Sequence, residues 1–503
     1  MSSEPAPVSG DSPFIATGEA TAILPARESG KTPITVIGTP DIRGTFDELC
    51  IRQALNARSA PGVSDVVLNP DAHCGYGAPI GCVLVSPTHI YPGPVGVDIK
   101  CSMSLLQLDV PADAIADVRT RRALIDAIIA RTPTGAGKDM RSVQKSRRIS
   151  ADTGRLAAVH GASEEVCRQL GIPAHWAGRC EDAFHTGHDG THDALAARLD
   201  VLQHGPLKNL LDKTSQLGSY GGGNHFGECE IVRVGDSAHA RRTAAAFGLK
   251  DNHVAFLSHC GSRGFGFQLA NHQFRALQDK FSRWSIPLPG DDRELVYAPL
   301  GTMEADAYID DMSLGANFAT VNHMLINALV LEAFAEVLPG AGGSLVYFIS
   351  HNIARRELLG GKMVWVHRKG ATRAFPAGHP GLRNTAFADI GHPILLPGNP
   401  QAGSVIMVAR ADAAKSCFSV NHGAGRRLGR RAAMRQLDQK VIDESFAAAD
   451  IITNCRNYPR DEAPDAYKDF NEVLRSVTKA GLADEVARLH ARFVIKDADK
   501  ADD

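Results

Sequence analysis

Five residues of this 503-residue chain have side chains that could share a transition metal. Asp98 and Cys101 lie in PGPVGVDIKCSM (92–103), and His225 lies in GGGNHFGEC (221–229). His259 follows the apolar run NHVAFLS (252–258), and His351 follows SLVYFIS (344–350). Thiolate, imidazole and carboxylate donors together suit zinc, manganese, iron or cobalt better than magnesium. Taken singly, each is ordinarily a satisfied turn or core residue, and their wide spacing is weaker evidence than a compact zinc motif. Their settings shift that balance. SHCGSRG and SHNIAR surround histidine with small or hydrogen-bonding residues, as expected where backbone packs close to a ligand.

A second group of residues suits phosphate. FSVNHGAGRRLGRRAA (418–433) places His422 beside glycine and then four arginines. The spacing predicts a helix carrying Arg426/Arg430 and Arg427/Arg431 as like-charged pairs four apart, which repel unless an anion screens them. Gly423 and Gly425 would let backbone approach that anion at the helix start. VHRKGATRAFP (366–376) gathers His367, Arg368, Lys369 and Arg373 around a Gly-Ala step, and arginine forks suit phosphate oxygens. The bland alternative is a basic loop without a partner. PTGAGK (133–138) echoes a phosphate loop but lacks the full spacing. Histidine can attack phosphorus and form a covalent intermediate, so His422 is the candidate nucleophile.

Rigid elements must hold these groups. Short β-type runs alternate with helical segments and glycine-rich connections, which predicts a mixed α/β fold (α+β in part). The expected organisation is a single large catalytic domain, residues 41–496, with central β-sheets flanked by helices and an internal helical insertion at about 110–215. Residues 92–103 are expected as a β-type run carrying Asp98 and Cys101, and residues 313–337 as a buried helix. Residues 1–40, rich in Pro, Gly, Ser and Thr, are expected to form a loosely ordered extension with one short strand at 35–37, and residues 497–503 a polar tail. The formal net charge of −2 gives no whole-molecule attraction for a polyanion, so any nucleic acid must be held by local patches. The 10 cysteines include no C-x-x-C pair, which argues against a zinc ribbon or a disulfide framework. With no secretory leader and no stretch of membrane-spanning apolar length, a cytoplasmic location is expected.

Together, PDAHCGYGAPIG (70–81), GVDIKC (96–101), GGGNHFGE (221–228), SHCGSRGFG (258–266), SHNIAR (350–355), VHRKGATRAFP (366–376), HGAGR (422–426), EAPDAYKD (462–469) and VIK (494–496) closely resemble the RtcB-type RNA ligases. The resemblance implies a GTP- and Mn²⁺-dependent ligase acting as a monomer without a membrane. It would join an RNA 3′-phosphate, or a 2′,3′-cyclic phosphate once opened, to a 5′-hydroxyl in RNA repair or tRNA splicing. His422 would carry GMP as a phosphoramidate. Cys101 would bridge two manganese ions, Asp98 and His225 completing one and His259 and His351 the other. GTP would contact Asn224, Glu228, Ser404, His422, Gly423, Ala424, Gly425, Arg426, Tyr467 and Lys496. The RNA phosphate would meet His367, Arg368, Lys369 and Arg373.

The chain departs from the family pattern in two places. DIKCSM has Lys100 and Ser102 where family members usually have glycine. PGNPQAGS (397–404) replaces a PGSMGTAS-like loop, and Pro400 lacks a backbone donor. That loop motivates an alternative reading, a metal-dependent phosphodiesterase or phosphatase on RNA ends with weakened guanylation. A non-catalytic RNA-binding role would leave the five metal-ligand candidates without a purpose.

Overall fold

Two large β-sheets organise the molecule, a computed structural model that describes residues 12–135 and 149–497. In the first sheet the strand order is Ile15–Ala16, Thr21–Leu24, Ile34–Ile37, Asp65–His73, Ile80–Ser86, Lys362–Lys369, Asn352–Leu359. In the second it is Gly343–Ser350, Ser102–Pro111, His253–Cys260, Phe226–Val234, Ala483–Lys496, Gly403–Ala409, Pro393–Asn399, with Ile452–Thr453 added beside Ala483–Lys496. Neighbouring strands are antiparallel except Ile34–Ile37 with Asp65–His73, and Ile452–Thr453 with Ala483–Lys496.

The second sheet is buried on both faces, which is why its strands carry runs such as Val254–Leu257 and Leu345–Ile349 without a polar break. Leu106, Leu108, Val254, Phe256 and Phe348 pack toward the helices. Their neighbours Met103, Leu105, Ala255, Leu257 and Ile349 belong to a separate core on the opposite face. A third core lies between the sheets, where Val67, Val83, Val85 and Val366 of the first meet Leu396, Val405 and Met407 of the second. Each such side chain contributes roughly 1.5–3 kcal/mol of burial, so the two sheets are held firmly to one another.

The central helix is longer than residues 313–337. It runs Met303–Val337, capped by the Thr302 side chain on Ala305 N. By length and composition it could cross a membrane, contrary to the sequence expectation, but most of it is buried within this fold. Most of its buried polar residues have partners. Asn322, for example, accepts from Gly218 N and donates to Gly261 O. The segment between Ser102–Pro111 and Phe226–Val234 carries the helices Val118–Ile129, Ala151–His160, Glu164–Leu170 and His192–His204.

Residues 12–40 correct the expectation of a loose extension. They supply three strands of the first sheet, and Ala20, Leu24 and Ile34 are buried there. Alternation over TAIL and ITVI supplies an apolar face whose partners come from elsewhere in the chain. Residues 1–11, the 136–138 end of PTGAGK and the tail from 498 lie outside the described residues.

Candidate functional site

Strand register assembles the candidate ligands. Met103 and Phe226 both pair with His259, Ser102 pairs with Ser350, and Lys496 pairs with Phe226. Cys101, His225, His259, His351 and Lys496 therefore lie at the same end of five adjacent strands. Asp98 and Cys101 sit in a turn before Ser102–Pro111 and not on a strand as expected. Gly96 and Lys100 both have positive φ there, 93° and 53°, which turns the chain away from the extended path.

Two overlapping groups result, Asp98–Cys101–His225 and Cys101–His259–His351, each with its donor atoms within 4.8 Å of one another. Cys101 Sγ lies 3.5 Å from His225 Nε2 and 3.2 Å from His259 Nε2. His225 Nε2 is 2.9 Å from Asp98 Oδ2, and His259 Nε2 is 3.3 Å from His351 Nε2. The far nitrogens fix the ring orientations. His225 Nδ1 faces Tyr220 O at 2.9 Å and His259 Nδ1 faces Asn224 O at 3.0 Å. Donation to these carbonyls aims both Nε2 atoms into the cluster, where that of His225 is shared with Asp98 Oδ2.

Burial, reinforced by neighbouring histidines, drives His259 and His351 well below the usual imidazole range. Burial pushes the Cys101 thiol well up, with Asp98 adding to the effect. It also opposes ionisation of Asp98, but the His225 contact outweighs it and holds that carboxyl down at about 2. Neutral imidazoles, an ionised carboxylate and a thiol that only a cation would ionise form a donor set fitted to transition metal ions.

His422 stands beside this cluster, its ring centroid 4.8 Å from that of His351. Its Nδ1 is 2.6 Å from Asp71 Oδ2 and 2.8 Å from Gly370 O, so the Nδ1–H is held and Nε2 is left free. The small residues around it have a packing reason. A Cβ at Gly425, where φ is 75°, would stand 2.4 Å from Asp71 O. One at Gly370 would strike Ile80 and Gly81. Asp71 was not singled out from sequence, although it lies within PDAHCGYG.

A cavity of about 440 Å³ between the sheets joins these groups. It is lined by Asp98, Cys101, His259, His351 and His422, and by Asn224, Glu228, Ser404, Gly423, Ala424, Gly425, Arg426, Tyr467 and Lys496. His225 lies behind the lining. Glu462, also missed from sequence, gathers the far wall. It accepts from Tyr467 Oη at 2.8 Å and pairs with Lys496 at 3.0 Å, Arg426 at 3.2 Å and Arg430 at 2.7 Å. Burial would raise its carboxyl, but those three cations hold it at about 2. Glu228 is the reverse case. Burial pushes it up to about 8, and Lys496 only partly opposes this.

Several sequence expectations are corrected. The helix after His422 starts at Arg430, capped by Gly429, so Arg426 precedes it and the anion-capped helix start at Gly423 and Gly425 does not exist. Of the four expected phosphate residues only Lys369 lines the cavity. Arg368 makes a two-point pair with Glu357 at 2.6 and 2.8 Å. Arg373 is 3.0 Å from Glu181, and His367 lies between Tyr91 N and Leu84 O. Burial of both faces of this end of Lys362–Lys369, and pairing of Arg368 and Arg373 with Glu357 and Glu181, turned these basic groups inward.

The departures from pattern also have structural outcomes. Lys100 takes a left-handed conformation that glycine would adopt freely. Its Nζ offsets that strain by bonding Asp182 O, His185 Nε2 and Thr320 Oγ1 at 2.9, 3.0 and 2.7 Å. In the 397–404 loop, Asn399 Oδ1 accepts from Gln401 N and Ala402 N, so two N–H groups that could have faced an anion are spent inside the turn.

Fold and site thus define a mixed α/β protein of one large domain, whose sheets enclose a cluster of side chains that could hold metal ions, beside an oriented histidine. The family model for the tRNA-splicing ligase RtcB matches residues 53–497, and the chain belongs to the RtcB family. It is 33% identical to the tRNA-splicing ligase RtcB of Thermococcus kodakarensis, over 89% of this chain and 90% of that protein. Identity to the tRNA-splicing ligase RtcB of Pyrobaculum aerophilum is 34%, covering 89% and 91%. The RNA-splicing ligase RtcB of Mycobacterium tuberculosis is 33% identical, covering 87% and 98%.

Proposed function

We propose that this protein is a GTP- and Mn²⁺-dependent RNA ligase that joins 3′-phosphate, or opened 2′,3′-cyclic phosphate, ends to 5′-hydroxyl ends. The observation that carries the reading is His422, its Nδ1 held by Asp71 and its Nε2 free, beside the Cys101-centred ligands in one cavity. Family membership supplies the substrate class, since the named relatives are RNA-splicing ligases.

His422 Nε2 attacks the α-phosphorus of GTP, forming an N–P bond as the bond to pyrophosphate breaks. The guanylate then passes to an RNA 3′-phosphate oxygen, breaking the N–P bond. A 5′-hydroxyl attacks the activated 3′-phosphorus, GMP leaves, and a 3′,5′-phosphodiester remains. Asp71 selects the tautomer with its proton on Nδ1 and so aims the Nε2 lone pair. Lys369, Arg426 and Lys496 offer positive charge to the nucleotide and RNA phosphates, while Asn224, Glu228, Ser404 and Tyr467 line the nucleotide space. Asp98, Cys101, His225, His259 and His351 would hold two manganese ions, which supply charge neutralisation and a lowered hydroxyl pKa. A cytoplasmic, monomeric enzyme is the corresponding cellular reading.

The test uses GTP, Mn²⁺ and two synthetic RNAs. Strands ending in 3′-phosphate and beginning with 5′-hydroxyl should be sealed, and the protein should carry acid-labile, alkali-stable GMP label. Joining of 3′-hydroxyl to 5′-phosphate ends instead would show the mechanism to be wrong.

A further inference from the structure

Outside the cavity between the sheets, a groove of about 670 Å³ opens between residues 205–209 and one face of the Arg263–Arg283 helix. The helix residues that line it are Phe267, Gln268, Asn271, His272 and Arg275, whose spacing places them on one face. The opposite face is already occupied, with Leu269, Ala270 and Leu277 buried in the core. Phe267 is not needed for that packing. The residue is 54% exposed, and the other helix residues lining the groove are polar.

The charge of the groove is one-sided. Lys208 and Arg275 are exposed, no carboxylate lines the groove, and neither cation has an ion-pair partner among the described residues. The helix also leads to the metal-ligand cluster. Ser262 N, just before its first residue, donates to Asp98 Oδ1 at 3.1 Å. The Lys213 side chain lies over Gly264, between that end and Phe267. From Phe267 to Arg275 is about 12 Å of helix at 1.5 Å per residue.

We infer that this groove is a docking track for single-stranded RNA, with a base stacked on Phe267 and phosphates on Lys208 and Arg275, continuous with the end of the helix that meets the metal-ligand cluster. An exposed ring flanked by unpaired cations is how single strands are held without regard to sequence, because every base has a stacking face. The inference rests on the ligase reading for its choice of RNA.

Its test measures binding by fluorescence anisotropy, using 3′-phosphorylated RNAs of about 4 and about 16 nucleotides, the limits of ordinary single-strand site sizes. The full chain should bind the longer RNA more tightly. Phe267→Leu should weaken that binding about 10-fold, and Phe267→Trp should not. Lys208→Ala with Arg275→Ala should flatten the log–log salt dependence by about 1.4, roughly 0.7 per lost phosphate contact. Affinity for the short RNA and GMP labelling of His422 should stay at wild-type level in every variant. Equal weakening for both lengths, an unchanged salt slope, or equal losses for Leu and Trp would each overturn the inference. Sealing activity of the wild type is read separately. Absence of sealing would refute the ligase reading while leaving length-dependent binding in the groove to stand or fall on its own data.

Discussion

Asp71 Oδ2 lies 2.6 Å from His422 Nδ1 and 3.1 Å from the His422 backbone nitrogen, so one buried carboxylate oxygen holds both ring and main chain of the same residue. Lys468 braces that carboxylate's own strand by donating to Pro70 O and Ala72 O, on either side of Asp71. The tautomer of His422 is therefore set by the fold before any nucleotide arrives.

Asp71→Asn should slow guanylation by on the order of 10²–10⁴-fold, because an amide no longer enforces protonation at Nδ1. His422→Ala should abolish labelling. Both are read by the initial rate of GMP transfer from labelled GTP, with circular dichroism confirming the fold. Wild-type rates in Asp71→Asn would remove the orienting role.

Cys101→Ala should lower bound manganese and stop guanylation, since Cys101 belongs to both ligand groups. Cys167→Ala should leave both at wild-type level, because that cysteine is buried in the helical core. Elemental analysis after dialysis against manganese decides the point. Equal metal content in the two variants would refute a bridging thiolate.

Arg368→Ala is expected to act on stability and not on RNA. Its guanidinium is fully buried against Glu357, and removing it leaves that buried carboxylate with only the more distant Arg373, 3.7 Å away, a loss of up to about 3–5 kcal/mol. Denaturant unfolding should show that loss, while Lys369→Ala should weaken RNA binding with a smaller effect on stability. Weaker RNA binding by Arg368→Ala at unchanged stability would restore it as a phosphate contact.

Glu228 predicts a pH dependence. Its folded pKa, about 8, lies above the unfolded value near 4.5, so the folded state binds the extra proton in between. Stability should therefore fall as pH rises from about 4.5 to about 8, then level off where both states are ionised. Glu228→Gln should flatten that part of the stability curve. An identical pH profile in this variant would show that Glu228 is ionised throughout.

The metal-ligand candidates were legible because each polar residue follows or precedes an apolar strand, and a strand end is where a polar side chain can leave the core. His422 was legible from the company of Gly423 and Gly425. The arginines were misread for a physical reason. Whether Arg368 and Arg373 face an anion or a carboxylate depends on Glu357 and Glu181, and Glu181 is 192 residues from Arg373. The same holds for Arg426 and Arg430, which converge on Glu462 and do not share a helix.

By itself the sequence determined the family, the mixed α/β class and the chemistry of the donor set, because these depend on residue type and local pattern. Only the tertiary structure decided which charges are spent inside the fold. It turned Arg368 and Arg373 inward, brought Asp71 under His422 across 351 residues, and left Lys369 in the cavity. Ion pairs and orienting hydrogen bonds form between groups that strand register brings together, and register is a property of the assembled sheets.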